Sequence, residues 1–261
     1  MSGIVNDFET IDAMSDGPVG RIALNRPDKL NPLGTATLRE LVRAAHAFDE
    51  QRDVKVVVVE GRGRAFSAGA DIAAFSGRAA DSARSAADAG REMADAIASM
   101  RAVTVARIHG HCVGGGVVLA AACDLRIAAE STRFSIPEVA LGIPLAWGGI
   151  PRLVREIGPA RTREFVMTCR PFGAAEAHAM GFVNEVAADD ALDAAVDAMV
   201  GALVDKSALV LEMTKRAVGD ASEALAPTTS AWSDADAFQS ALHDPESRAV
   251  AAQYLARVRR R

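Results

Sequence analysis

Two short loops of small residues, about forty-five positions apart, hold the groups in this chain best placed to do chemistry. The first reads Phe66-Ser67-Ala68-Gly69-Ala70-Asp71-Ile72 and follows the apolar run Val56 to Val59. The second, Gly114-Gly115-Gly116, directly precedes the helical-looking stretch Val117 to Cys123. Both sit where a strand hands over to a helix, so each offers backbone N–H groups with no intrahelical acceptor. Two such donors aimed at one point form an oxyanion hole, and the helix dipoles behind them add positive potential there. That arrangement suits a carbonyl whose oxygen becomes an enolate, and it requires no nucleophile.

The elements that must hold these loops are legible as an alternation of strands and helices through roughly residue 157. Gly20 to Asn25, Lys55 to Glu60, Val103 to Ile108 and Asp124 to Ala129 read as strands. The second of these is a continuous apolar run suited to a sheet covered on both faces. Thr35 to Asp49 reads as a helix, with Leu38, Leu41, Val42, Ala45 and Phe48 at helical spacing. Such alternation predicts crossover units with parallel pairing. Gly77 to Asp95, poor in large apolar residues, reads as an exposed mobile loop running into a helix, as a lid or pocket rim would. From Pro159 onward the pattern is helical, over Ala191 to Leu203, Ser207 to Val218 and Ser233 to Leu242, with Pro227 and Pro245 as punctuation. The expected division is a core over residues 1–200 and a C-terminal helical region, for oligomerisation or as a lid, over 201–261.

Composition narrows the class. The chain has 261 residues, half of them apolar but only 5% aromatic, so Ala, Val and Leu must supply most of the packing. A net charge of −5 and a pI near 5.6 argue against a nucleic-acid footprint. The basic cluster Arg257 to Arg261 reads as a solvated tail, within reach of an anionic ligand. Cys112, Cys123 and Cys169 are odd in number and lack metal-ligand spacing, which suggests free thiols in a reducing compartment and no metal. The N-terminal residues show neither a basic segment nor a long apolar one, and the run Val113 to Cys123 is too short to span a bilayer. A cytoplasmic protein is the expectation.

Four segments, Asn25 to Leu33 (NRPDKLNPL), Gly61 to Ile72 (GRGRAFSAGADI), Gly110 to Ala128 (GHCVGGGVVLAAACDLRIA) and Phe134 to Leu153 (FSIPEVALGIPLAWGGIPRL), resemble the enoyl-CoA hydratase/isomerase, or crotonase, family. They occur in that family's order and spacing, and the similarity runs from about residue 5 to residue 258. The resemblance implies an α/β crotonase-like (ClpP/crotonase) fold of repeated ββα units with a C-terminal helical region. It also implies trimers, often paired into hexamers. The substrate would be an acyl-CoA thioester, with coenzyme A as part of the substrate and no further cofactor. The family's two oxyanion amides map onto Ala68 and Gly115. Its coenzyme A portion lies along Arg26, Asp28, Lys29 and Leu30 and along Ala68, Gly69, Ala70, Asp71 and Ile72, with Gly115 against the thioester. Arg26 and Lys29 are the candidate phosphate neighbours.

The family's hydratases use two glutamates. The second corresponds to Glu138, but the first position is Val118, and a third acidic position used by dienoyl isomerases falls on Ala146. One carboxylate remains, flanked by Ile136, Val139 and Leu141, and desolvation should raise its pKa. A single carboxylate suffices to take a proton from one carbon and return it to another, which is double-bond isomerisation of an enoyl-CoA. Hydration, with a polar side chain entering from Gly77 to Asp95, a decarboxylase or lyase reaction, and a non-catalytic acyl-CoA carrier stay open. Trp147 either walls off the acyl pocket or serves as a core tryptophan. His109 and His111 read as structural, Asp71 as a helix cap, and Ser67 lacks the His-Asp pair a nucleophile needs. Gly61-Arg62-Gly63 fails as a dinucleotide loop because Phe66 occupies the third glycine position.

Overall fold

A computed structural model describes residues 3–4, 7–71 and 80–258. Strands β1 (Gly3–Ile4), β2 (Ile11–Asp16), β3 (Val19–Leu24), β4 (Val56–Gly61), β5 (Val103–Ile108), β7 (Leu125–Ala129) and β10 (Glu185–Ala187) form a seven-stranded sheet in the order β1-β2-β3-β4-β5-β7-β10. The pairs from β3 onward are parallel and the two before it antiparallel. A second, three-stranded sheet joins β6 (His111–Val113), β8 (Arg133–Ser135) and β9 (Phe172–Gly173). The crossover units expected from the strand–helix alternation are therefore present, with strand bounds within a residue or two of expectation.

Every residue of β4 is buried, and the reason is visible on its two faces. Val57 and Val59 join one apolar cluster with Leu38, Leu41 and Phe48 of helix α1 (Thr35–Glu50) and Met93 and Ile97 of helix α2 (Ala80–Ser99). Val56 and Val58 join a second cluster with Val105, Ile127 and the Leu192, Val196 and Val200 stripe of helix α6 (Leu192–Val204). A strand sandwiched this way reads as a continuous apolar run, and the one charged residue of β4, Glu60 near its end, is paired with Arg21, Arg62 and Arg107.

Helix α2 corrects one expectation. The described part of Gly77 to Asp95 is a helix from Ala80, and its Ala86, Ala87, Ala89, Met93 and Ala94 are buried against the core. Small alanines lower the apparent apolarity of the segment, yet they let the helix pack closely on α1 and on helix α3 (Gly115–Ala122). Residues 77–79 lie outside the described part.

Helix α4 (Gly149–Thr168) breaks at Gly158, whose φ of 77° interrupts the helical path just before Pro159. After α5 (Ala174–Ala179) and α6, helix α7 (Ala208–Leu225) runs along the outside with an exposed apolar face. Helix α8 (Asp234–His243) then packs on α2, and α9 (Pro245–Val258) packs on the turn Val139–Leu141. Among the described residues no helix is long and apolar enough to cross a membrane.

Candidate active site

The two small-residue loops meet at the end of the sheet. Ser67 bridges to Cys112 of β6, and Leu33 bridges to Ala70. Gly69, at φ 84°, passes so close to the second loop that a Cβ there would lie 2.5 Å from the Val113 carbonyl oxygen. Only glycine tolerates both the left-handed backbone and that approach.

The direction of each amide in the first loop follows from its bridges. The Ser67 N–H donates to the His111 carbonyl at 3.0 Å, and the Ala68 N–H donates to the Leu30 carbonyl at 2.8 Å. The Gly69 N–H donates to the Ser67 hydroxyl at 3.1 Å. Leu33 donates to the Gly69 carbonyl at 2.8 Å and accepts from the Asp71 N–H at 3.3 Å. In extended chain, successive amides point to opposite sides. The Ala70 N–H therefore faces away from Leu33, and no acceptor meets it among the described residues.

This arrangement overturns the assignment of Ala68 as an oxyanion donor, because its N–H is already spent on Leu30. Among the described residues of this loop the free amide belongs to Ala70, two residues further on. In the second loop, Gly114 donates to the Ser135 carbonyl at 2.8 Å, while Gly115 opens α3 and its N–H meets no acceptor among the described residues. Ala70 and Gly115 both line a cavity of about 240 Å³.

Glu138 enters the same cavity from the turn after Pro137. Its backbone carbonyl accepts from Leu141 and Ile143, each at 3.0 Å, which fixes the turn. The residue as a whole is half-buried, but its Oε2 is fully covered and has no hydrogen-bond partner. Burial pushes the carboxyl from an ordinary 4.5 up to about 7, partly countered by its own backbone N–H. A Cβ on Gly114 would sit 2.2 Å from Glu138 Oε1, so the glycine is what admits the carboxylate.

The remaining wall is apolar. It includes Val118, Leu145, Ala146 and Trp147, with Phe238 and Leu242 from α8 and Ala251 and Leu255 from α9. Among the described residues Glu138 is the one titratable side chain in the lining. The hydration alternative would draw a polar side chain from Gly77 to Asp95, and the described part of that segment supplies only Ala87 to the lining.

The other candidate residues fall into place around this centre. Arg26 pairs with Asp71 at 3.6 Å, so Asp71 is an ion-pair partner in the described structure. Asp28 and Lys29 are exposed on the short helical turn Pro27–Lys29, and half-buried Leu30 follows with φ 61°. Ile72 and residues 259–261 lie outside the described part. The Ser67 hydroxyl donates to the Asn31 carbonyl at 2.8 Å and is buried, which leaves it no nucleophilic role. His109 is held between Arg107 and the Gly63 carbonyl, and burial pulls its pKa down. The thiol of Cys123 is pushed up to about 12 by burial, as expected of a packed cysteine.

Asn31 went unnoticed in the sequence. Its side chain donates to the carbonyls of Arg62 and Ala65 at 2.8 and 2.9 Å and accepts from the Arg26 N–H at 2.9 Å. It ties the loop after β3 to the loop that carries Ala70. Its φ of 55°, unusual outside glycine but tolerated by asparagine, could not be read from neighbouring residues.

An α/β core with two glycine-backed turns, two free amides and a covered carboxyl around one cavity defines a crotonase-fold protein. The chain belongs to the enoyl-CoA hydratase/isomerase family, whose model matches residues 15–259. It is 36% identical over 232 residues, 83% of each chain, to echA8 of Mycobacterium bovis, named a probable enoyl-CoA hydratase. It is 33% identical over 221 residues, 80% of each chain, to the peroxisomal Delta(3,5)-Delta(2,4)-dienoyl-CoA isomerase of Arabidopsis thaliana. A Thermobifida fusca YX structure in complex with acetoacetyl-CoA superposes with a TM-score of 0.77 at 30% identity, covering 87% of this chain and 93% of that one.

Proposed function

We propose that this protein isomerises the double bond of an enoyl-CoA thioester, with Glu138 as the single acid–base group. As a carboxylate, Glu138 removes a proton from C2 of a 3-enoyl-CoA. The electron pair moves onto the thioester oxygen, held by the N–H groups of Ala70 and Gly115. Glu138, now protonated, delivers the same proton to C4, and the double bond comes to rest between C2 and C3. Nothing is oxidised or reduced, so the balance calls for no redox cofactor. Each oxyanion donor contributes roughly 3–4 kcal/mol where measured elsewhere.

The observation that carries this reading is a lone carboxyl, raised to about 7, in a cavity with no second titratable side chain among the described residues. A group half-protonated at neutral pH accepts and returns a proton with little loss in either direction. Hydration would need a further group to orient water, and the fully buried Val118 cannot supply it. The Thermobifida fusca complex and the hydratase and isomerase names of the relatives support an acyl-CoA substrate here. Arg26, which pairs with Asp71 next to Ala70, and the exposed Lys29 three residues on are the proposed neighbours of the coenzyme A phosphates.

The test is to incubate the protein with 3-enoyl-CoA and with 2-enoyl-CoA and to follow products by chromatography. Conversion of the 3-enoyl ester, lost in Glu138→Gln, is expected. Tight binding without turnover would make the protein an acyl-CoA carrier, and rapid hydration insensitive to Glu138 would overturn the residue roles.

We also propose self-association as a trimer or hexamer. Leu209, Val210, Met213, Val218 and Leu225 of α7 are largely exposed, and a groove of about 620 Å³ runs along this face. Contiguous exposed apolar surface of this kind marks an interface. Sedimentation velocity reads the assembly directly.

A further inference from the structure

We infer that Trp147 sets the substrate class: its indole narrows the cavity beside the reacting carbons, selecting acyl groups that are slender next to the carbonyl and excluding branched and aryl ones. This rests on the acyl-thioester reading above.

The first support is backbone strain. Trp147 adopts φ 64°, a left-handed conformation that a bulky residue rarely occupies without compensation. Several bonds impose it. The next amide, Gly148 N–H, donates to Asp234 of α8 at 2.8 Å. Buried Arg152 donates to the Trp147 and Gly148 carbonyls at 3.3 and 3.2 Å and to Asp95 of α2 at 2.7 Å. Two separate helices thus clamp the turn that aims this ring. A tryptophan needed only for packing gains nothing from being strained in this way.

The second support is where the ring lies. A Cβ on Gly90 of α2 would fall 2.1 Å from the indole Nε1 and Cε2, and one on Gly115 would fall 2.2 Å from Cζ3. The ring therefore fills space left by two missing side chains. Its six-membered edge rests on Gly115, the residue whose N–H is proposed to hold the thioester oxygen. Gly114, one position earlier, makes the corresponding room for Glu138. An acyl chain bound through these amides has the carboxyl and the indole as immediate neighbours. The exposed fraction of Trp147 is only 6%, yet the ring forms part of the cavity wall.

Affinities of butyryl-CoA and benzoyl-CoA, measured by calorimetry, test this without depending on turnover. Wild type should prefer butyryl-CoA, and Trp147→Ala should shift the ratio toward benzoyl-CoA by roughly tenfold or more, as pocket-size changes do. Gly90→Ala lies outside the cavity lining and introduces a better helix former. By pressing the ring inward it should move the ratio the opposite way. Trp147→Leu provides the same reading as Trp147→Ala if the alanine variant does not fold. An unchanged ratio in a folded Trp147 variant, or wild type preferring benzoyl-CoA, would overturn the inference. Failure of the isomerase reading shows separately, as wild type that binds these esters but leaves 3-enoyl-CoA unconverted.

Discussion

Replacing Glu138 with glutamine should cost activity and, above neutral pH, increase stability. The magnitude follows from the carboxyl's surroundings. Its pKa is raised from 4.5 to about 7, so keeping it charged in the folded protein costs about 3 kcal/mol. The sign follows from proton binding. Between pH 4.5 and 7 the folded state holds a proton on Glu138 that the unfolded chain has released, so stability falls as pH rises through this window. Below it the carboxyl is neutral in both states and no penalty applies; above it the penalty is complete. Glutamine carries no charge and keeps the shape. Glu138→Gln should therefore match wild type at pH 4.5 and exceed it by about 3 kcal/mol at pH 8, as an upper value because water reaches part of the residue. Urea unfolding at the two pH values measures this directly. Turnover of 3-enoyl-CoA should fall by about 10²–10⁴ in the same variant. In wild type, kcat/KM should rise with pH through an apparent pKa near 7. A rate that titrates near 4.5, or a stability difference that is the same at both pH values, would show that the carboxyl is ordinarily solvated and refute the reasoning.

Three further outcomes are expected. Val118→Glu places a second carboxyl in the cavity wall and should confer measurable hydration of 2-enoyl-CoA, detected by loss of enoyl absorbance, at some cost in stability. Gly114→Ala puts a methyl group 2.2 Å from Glu138 Oε1 at a φ of 50°, so isomerase turnover should drop by about a hundredfold or more, read in the same chromatographic assay. Asn31→Ala leaves the Arg62 and Ala65 carbonyls without their buried donor. It should destabilise the fold by about 1–3 kcal/mol in chemical unfolding, with a larger loss of kcat than the stability change alone explains.

Much of the architecture was legible in the chain. The apolar run of β4 and the helical spacing of α1 follow from local periodicity and lie where expected, while α3 starts two residues earlier than expected, at the second glycine of the triplet. The small-residue loops announced free amides, and the segment Ile136-Pro137-Glu138-Val139 singled out the one carboxyl that lines the cavity among the described residues. The buried face of α2 was not legible, because alanines bury well only where a close neighbour exists, and that neighbour is distant in the chain. The role of Asn31 was hidden for the same reason.

The sequence by itself determined the materials: two glycine-backed turns, a single acid after a proline, and valine where a second acid would stand. Only the tertiary structure decided which amide of the first loop is free. Ala68 and Ala70 are the same residue type two positions apart, and nothing local separates them. Leu30 takes the first amide, and the bridge to Leu33 leaves the second, on a residue that lines the cavity, without an acceptor among the described residues, since a backbone donor is available only when no neighbouring strand or loop has claimed it.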